Sequence, residues 1–329
     1  MPALSVAIAM GGFSPESEVS LKSAEVVYRH LSTEKYLATR VLIDRSGWFA
    51  LVNGEQIPIN RHDFSYAING EKVTFDVVFM AIHGTPGEDG VLQGYLDLLG
   101  IPYTTSGVFA SSLGFSKAEC NMVVSRMGVP VAKSLFLTEI QPHEEETILS
   151  QLTLPVFVKP NRSGSSFGVS KVEQPQSLAA ALAEARKHDS LVVVEEMIPG
   201  TEIACGVVDF GGEIQPLTVT EIVPKNAFFD FEAKYQGASE EITPGRFPQA
   251  VIDTALGYAL RVYKGLGLKG IARIDFIVRP DGVPVMLEVN TVPGLSEASI
   301  VPQQAAYKGY SLSTFFDLAL QSALKTAQS

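Results

Sequence analysis

The chain is predicted to open as an α/β unit and to continue as α+β, and three patterns carry that prediction. The N-terminal stretch LSVAIAMGG is an apolar run that ends in two glycines and leads into helix-forming sequence, the order strand, glycine-rich turn, helix. From about residue 116 onward, short β-rich runs such as VFVKP and LVVVEE alternate with helical periodicities. Finally, GIARIDFIVRPDGVPVMLEVN, residues 270 to 290, holds two β-rich runs around Pro280-Asp281-Gly282, a strong hairpin signal.

In chain order, residues 4 to 10 read as a buried strand. Ser14 is placed as an N-cap with Pro15 at the first helical position, opening a helix to about Leu31. Strands are expected at 37 to 43 and 73 to 82, and the loop HGTPGEDG leads into a helix from Val91. A helix at 116 to 127, a strand at 131 to 137, a helix from 143, the strand VFVKP, a helix at 175 to 187 and the strand LVVVEE follow. After MIPGTE, EIACGVVDF and IQPLTVTEIV pair as antiparallel strands around Gly211-Gly212. Residues 224 to 247 read as a long loop without regular structure, and such loops in compact domains are commonly lids. The helix QAVIDTALGYALRVYKGLG and the 270 to 290 hairpin complete the pattern.

With 329 residues, 46% hydrophobic and 19% charged, the chain can bury the cores of two or three domains. The boundaries are set at 1–110, 111–198 and 199–329. A formal charge of -11 argues against a nucleic-acid or anionic-membrane partner, so any anionic ligand needs locally concentrated Lys and Arg. Cys120 and Cys205 are too few for a disulfide framework and have no metal-pair spacing, which points to reduced thiols and a cytoplasmic location. MPALSVAIAM lacks a basic n-region and is read as a strand rather than a signal peptide. No stretch approaches the ~18 uninterrupted apolar residues of a membrane span.

The hairpin yields a site by strand geometry. With Asp281-Gly282 as a two-residue turn, cross-strand partners sum to 563, which sets Asp275 opposite Glu288 and Arg273 opposite Asn290. All four polar groups then share one face, while Ile274, Phe276, Leu287 and Val289 share the other. Two opposed carboxylates repel unless a cation or proton joins them, and an Asp/Glu/Asn oxygen set suits Mg²⁺ completed by phosphates. The alternative is a solvated polar face with Arg273 paired to Asp275.

VKPNRSGSSFGVSKV, residues 158 to 172, sets two lysines around a Gly/Ser run but lacks both the Gly-Lys-Ser/Thr ending of a P-loop and a G-x-G-x-x-G. Together with HGTPGEDG, FFDFEAKY, ARIDF and LEVNTVPGLSEASIVP it resembles the D-alanine:D-alanine ligases of the ATP-grasp superfamily, over essentially the whole chain. The resemblance implies an N-terminal preATP-grasp domain followed by a two-domain ATP-grasp fold. It also implies the ATP-dependent joining of two D-alanines through an acyl phosphate, for peptidoglycan precursors. ATP and two Mg²⁺ or Mn²⁺ ions are the implied cofactors, and a homodimer the implied assembly.

Residue by residue, the resemblance assigns Asp275, Glu288 and Asn290 to the metal ions. Arg273 and the backbone N–H of Gly294 are assigned to the oxyanion of the tetrahedral intermediate. Lys117, Lys159, Ser166 and Lys234 match phosphate-site positions. Glu195, Glu196, Met197 and Ile198 match the adenine hinge, Glu202 the ribose reader, and Phe228, Ile277 and Leu287 the adenine pocket. Glu18 matches the carboxylate for the ammonium of the first D-alanine, and Tyr235 is implied to link through Ser165 to Glu18 as the lid closes. His83 matches a substrate-site histidine, and Ser299 and Ile300 the site of the second D-alanine. The signature EAKY speaks against D-lactate as nucleophile, while a D-serine ligase and a non-catalytic nucleotide-binding relative remain the alternatives.

Overall fold

A computed structural model describes residues 3–139, 143–164, 167–224 and 239–326. The first strand, β1 (Leu4–Gly11), lies between β2 (Tyr36–Ile43) and the later strand Val77–Met80, parallel to both. Its side chains alternate between two cores, Val6, Ile8 and Met10 in one and Ala7 and Ala9 in the other. Burial on both faces accounts for a continuous apolar run rather than an alternating one. The strands β3 (Trp48–Val52) and β4 (Glu55–Pro58) extend this sheet antiparallel at one edge.

The strand expected over 73 to 82 is divided. Glu71–Val73 pairs with Tyr66–Ile68 in a separate two-stranded ribbon, and Val77–Met80 alone joins the first sheet. Asp76, between them, leaves the strand line and accepts a bond from Ser5 N at 2.7 Å. The first helix, α1 (Ser17–His30), starts later than expected. Ser17 N donates to Ser14 O at 3.2 Å and Glu16 N to Ser14 Oγ at 3.3 Å, so Ser14-Pro15-Glu16 is a turn ahead of the helix.

After α2 (Val91–Leu99) comes a helix that was not expected, α3 (Val108–Phe115); beyond the extended Ser116, α4 (Lys117–Arg126) is the helix expected at 116 to 127. The second sheet is antiparallel, in the order Ser170–Val172, Val156–Pro160, Val192–Glu196, Ser134–Leu137. Its fourth strand is shorter than expected, because Val131 makes only an isolated bridge to Met286. On one face Val156, Val158, Val192 and Val194 pack with Ala181, Leu182 and Ala185 of the helix Leu178–Arg186. Period two therefore sends Lys159 and Glu195 to the opposite face.

The third sheet is antiparallel, in the order Ser239–Ile242, Glu213–Pro224, Thr201–Phe210, Ile271–Val278, Pro284–Asn290. Part of the expected irregular loop 224 to 247 is thus strand, and residues 225 to 238 lie outside the described residues. The helix Gln249–Gly265 covers one face through Ala255, Ala259, Val262 and Tyr263. The C-terminal helix Leu312–Thr326 brings Phe315 and Phe316 into the core shared with β1 and α1.

The hairpin differs from its expected register in a way that cancels at the site. Arg279 N bonds Val283 O at 3.0 Å and Gly282 N bonds Arg279 O at 2.8 Å, with Gly282 at φ +82°, so the connection has three residues, 280 to 282. Val278, not Arg279, pairs with Pro284. A β-bulge between Phe276 and Asp275 then inserts Leu287, and beyond it Asp275 faces Glu288 and Arg273 faces Asn290 as expected. The bulge also corrects the core: Met286, with Phe276, Ile274 and Val289, fills it, and Leu287 stays half-buried outside that cluster.

Candidate active site

Asp275 is 2% exposed, and a buried carboxylate demands partners. Arg273, two residues earlier on the same face, donates to its two oxygens from Nε at 2.8 Å and Nη2 at 2.7 Å. Asn290, across the hairpin, adds Nδ2 to Asp275 Oδ2 at 3.0 Å. Hence the amide oxygen of Asn290 and the carboxylate of Glu288 belong to the same polar cluster as Asp275. The donor set is oxygen only and carries two acids, which fits a hard divalent cation. Among the described residues no group of three or more His, Cys, Asp or Glu side chains could hold a metal ion; a cation here would rest on two acids and one amide oxygen, and hard divalent cations commonly complete such a set with water and phosphate oxygens.

Lys117 joins this cluster to the Gly/Ser loop. Its Nζ donates to Ser163 O at 2.6 Å and stands 3.8 Å from Glu288 Oε2. Position is enforced from behind, because Asn161 Oδ1 accepts from Ala118 N at 2.7 Å and Asn161 Nδ2 donates to Ser116 Oγ at 2.8 Å. The N-terminus of α4 is thereby tied to the strand that carries Lys159. Lys159 forms a buried ion pair with Glu195 of the neighbouring strand.

The strand end at Glu196, Met197 and Ile198 is half-buried, and the Glu196 side chain is occupied locally, accepting from Thr153 N at 2.7 Å. Glu202 lies directly opposite Ile277 in the third sheet, and Ile277 shares the face of Asp275 and Arg273. The residues expected at the ribose and in the adenine pocket, Glu202 and Ile277, are therefore cross-strand neighbours.

On the substrate side two glutamates lie close together in sequence and differ in burial. Glu18 is exposed on the first turn of α1, whereas Glu16, in the turn before it, is 7% exposed. A Cβ added to Gly164 would lie 2.3 Å from Glu16 Oε2 and one on Gly84 3.2 Å from it, so both glycines admit that carboxylate. The assignment of Glu18 rests on resemblance alone; the turn at Ser14-Pro15 brings Glu16, not Glu18, to a buried position. Charge interactions also connect Glu16 to His83 and to Glu88.

His83 is buried, and both ring nitrogens have protein partners: Nδ1 lies 2.7 Å from Val292 O and Nε2 3.2 Å from Ser23 Oγ. Burial drives its pKa below the ordinary value, which keeps the ring neutral. A carbonyl only accepts, so Nδ1 carries the proton and Nε2 accepts from Ser23. The carboxyl of Glu88 is pushed up to about 8 by burial and by the charges of Glu16 and Glu288, against the pull of two backbone donors. Neither Glu16 nor Glu88 was singled out in the sequence.

Gly294 packs against Ser299, whose Oγ an added Cβ would meet at 2.8 Å. Ser299 occupies the N-cap of the helix Ile300–Tyr307, but its hydroxyl lies 2.7 Å from Ser296 Oγ and does not cap. Ile300 is buried against Ala204 and Ile222, which anchors that helix start to the third sheet. Ser165, Ser166, Phe228, Lys234 and Tyr235 lie outside the described residues.

Known proteins match this arrangement. The family described as D-ala D-ala ligase N-terminus matches residues 5–106, and the D-ala D-ala ligase C-terminus family matches residues 123–321. A D-alanine–D-alanine ligase of Flavobacterium johnsoniae is 43% identical over 97% of this chain and 99% of its own, and one of Azobacteroides pseudotrichonymphae is 45% identical over 93% and 96%. Among solved structures, the VanG D-Ala:D-Ser ligase of Enterococcus faecalis has 33% identity and a TM-score of 0.88, covering 98% of this chain and 100% of its own. The Bacillus anthracis D-alanine–D-alanine ligase complexed with ATP has 26% identity and a TM-score of 0.77, covering 99% of each chain. Two family matches that together span most of the sequence, and relatives above 40% identity over nearly full length, place this chain in the D-alanine:D-alanine ligase family.

Proposed function

We propose that the protein joins two D-alanines to D-alanyl-D-alanine at the expense of ATP, releasing ADP and phosphate. The observation that carries this reading is the shared face of Arg273, Asp275, Glu288 and Asn290, met by Lys117 and the Gly/Ser loop. A carboxylate attacking a triphosphate brings anions together, so the protein has to supply cations and oriented donors. Asp275, Glu288 and Asn290 would hold two Mg²⁺ or Mn²⁺ ions, which when bound neutralise the phosphate charge.

The chain's own residues then divide the work. Glu16, in place of Glu18, receives the ammonium of the first D-alanine. Lys117 and Lys159 steady the phosphates while a carboxylate oxygen of that D-alanine displaces ADP from the γ-phosphorus. The amine of the second D-alanine attacks the acyl phosphate, a C–N bond forms, phosphate leaves, and the amine loses a proton. Arg273 and Gly294 N–H stabilise the oxyanion formed between these events, a task suited to a fixed guanidinium. Ser299 and Ile300 border the second D-alanine, and Ser165, Tyr235 and Lys234 close the lid against water.

The likeness to the D-Ala:D-Ser ligase favours one second reading, in which D-serine replaces the second D-alanine. Product identification from ATP, Mg²⁺ and D-alanine, alone and with D-serine, tests both readings. Absence of the D-alanine dipeptide would overturn the first, and a mixed dipeptide in preference to it would establish the second.

The same reading includes three domains, 1–110, 111–198 and 199–329, and a cytoplasmic enzyme of peptidoglycan precursor synthesis. No helix of the described residues is long and apolar enough to cross a membrane. It also includes a homodimer, supported by the exposed apolar side chains of Val91, Leu98, Val108 and Phe109 on the adjoining α2 and α3, which a second copy would cover.

A further inference from the structure

The segment 291–295, which follows Asn290 and contains Gly294, is held by side chains from distant parts of the chain. Thr105 Oγ1 donates to Thr291 O at 2.8 Å. Glu88 Oε1 accepts from Val292 N at 3.1 Å, while its Oε2 accepts from Gly84 N at 2.8 Å. His83 Nδ1 donates to Val292 O at 2.7 Å. Ser23 Oγ accepts from Leu295 N at 3.1 Å and reaches His83 Nε2 at 3.2 Å. Gly294 thus lies between two clamped backbone positions.

We propose that Glu88 is a positioning residue for the ligation step: together with Ser23 and His83 it fixes the 291–295 segment so that the N–H of Gly294 points at the oxyanion. This deepens the ligase reading and rests on it. The geometry favours Glu88 over a general packing role. Each of its oxygens faces an N–H donor, one in the HGTPGEDG loop and one in the Gly294 segment, so a single carboxyl group links the two. Burial and the charges of Glu16 and Glu288 disfavour its ionised form, and the two N–H partners pull the other way without cancelling them. His83 serves the same end, its two nitrogens spanning Val292 O and the hydroxyl that receives Leu295 N–H.

Oxyanion donors act only if aimed at where charge develops, and a displacement of about 1 Å can cost on the order of 10²-fold in rate. Glu88→Gln keeps size but turns an NH₂ toward one of the two backbone donors, so one tie is lost. Ser23→Ala releases the other end of the segment through Leu295.

The experiment measures kcat, the KM for each D-alanine, ATP affinity by calorimetry, and affinity for a tetrahedral phosphinate dipeptide analogue. For Glu88→Gln we expect kcat and phosphinate affinity to fall together, by roughly 10- to 100-fold, with ATP affinity within about twofold of the parent protein. Unchanged kcat and phosphinate affinity would overturn the proposal, as would a loss confined to ATP affinity. Where Glu88→Gln fails to fold, Ser23→Ala decides on the same two readouts. A parent protein that makes no dipeptide contradicts the ligase reading itself, whereas an active parent with an equally active variant contradicts only the role of Glu88.

Discussion

Arg273 grips Asp275 along one strand, its guanidinium donating to both carboxylate oxygens from Nε at 2.8 Å and Nη2 at 2.7 Å. The pair satisfies a buried acid and also holds a planar cation still on the face that carries Glu288 and Asn290. Lysine would keep the charge and lose the fork. Arg273→Lys is expected to lower kcat by about 10²- to 10³-fold, the loss typical of an oxyanion donor, with ATP affinity changed only a few-fold. Steady-state kinetics beside ATP titration checks this, and near-normal turnover would reduce Arg273 to a structural partner of Asp275.

Glu16 and Glu18 separate a buried carboxylate from an exposed one two residues away. An ammonium held by a buried acid is a charge-assisted bond, worth roughly 1.5–3 kcal/mol. Glu16→Gln should therefore raise the KM for the first D-alanine by on the order of 10- to 100-fold, and Glu18→Gln should leave it within about twofold. The D-alanine dependence of ADP release reads both. The opposite ranking would restore Glu18 to the site.

Much of this site was legible because strand geometry is periodic. Asp275 opposite Glu288 follows from hairpin chemistry and alternation, without knowledge of anything outside residues 270 to 290. The success was partly compensation: a three-residue connection moved the register by one, and a bulge at Leu287 moved it back. Bulges leave no clear mark in sequence, so the reading of Leu287 as core failed while its neighbours held. Glu16 was missed for a different reason. The resemblance pointed to Glu18, and the glycines that leave room for the Glu16 carboxylate, Gly84 and Gly164, are far from it in the chain and absent from any local pattern. The clamp of Glu88, His83 and Ser23 on residues 291–295 was illegible for the same reason, as each bond from these side chains to that segment crosses more than two hundred positions.

His83 gives a pH dependence of known sign. Burial lowers its pKa in the folded protein from the ordinary value of 6.5. Below that pH the unfolded chain binds a proton that the folded chain does not, so the stabilisation present above 6.5 is lost as the pH falls. The slope contributed by one such group reaches about 1.4 kcal/mol per pH unit. Unfolding free energies from urea titrations between pH 7.5 and 5.5 should fall less steeply for His83→Gln than for the parent protein, by up to about that slope. Parallel profiles would mean that His83 titrates alike in both states.

Lys159 and Glu195 are 8% and 5% exposed and form an ion pair diagonally across adjacent strands. Removing one partner strands a charge in the interior, at a cost of about 3–5 kcal/mol, whereas replacing both with apolar groups of similar size is often neutral or stabilising. Lys159→Met and Glu195→Leu should each lower the urea midpoint strongly, and the double variant should recover most of that loss. ATP binding should not recover with it, because the lysine proposed to hold the phosphates is still missing. Recovery of both stability and ATP affinity in the double variant would show that the pair serves the fold alone. Recovery of neither would show that the charges are stabilised by partners other than each other. The expected split, a restored fold with weak nucleotide binding, would mean that a costly buried ion pair stands where an apolar pair would suffice for folding because the site needs the cation.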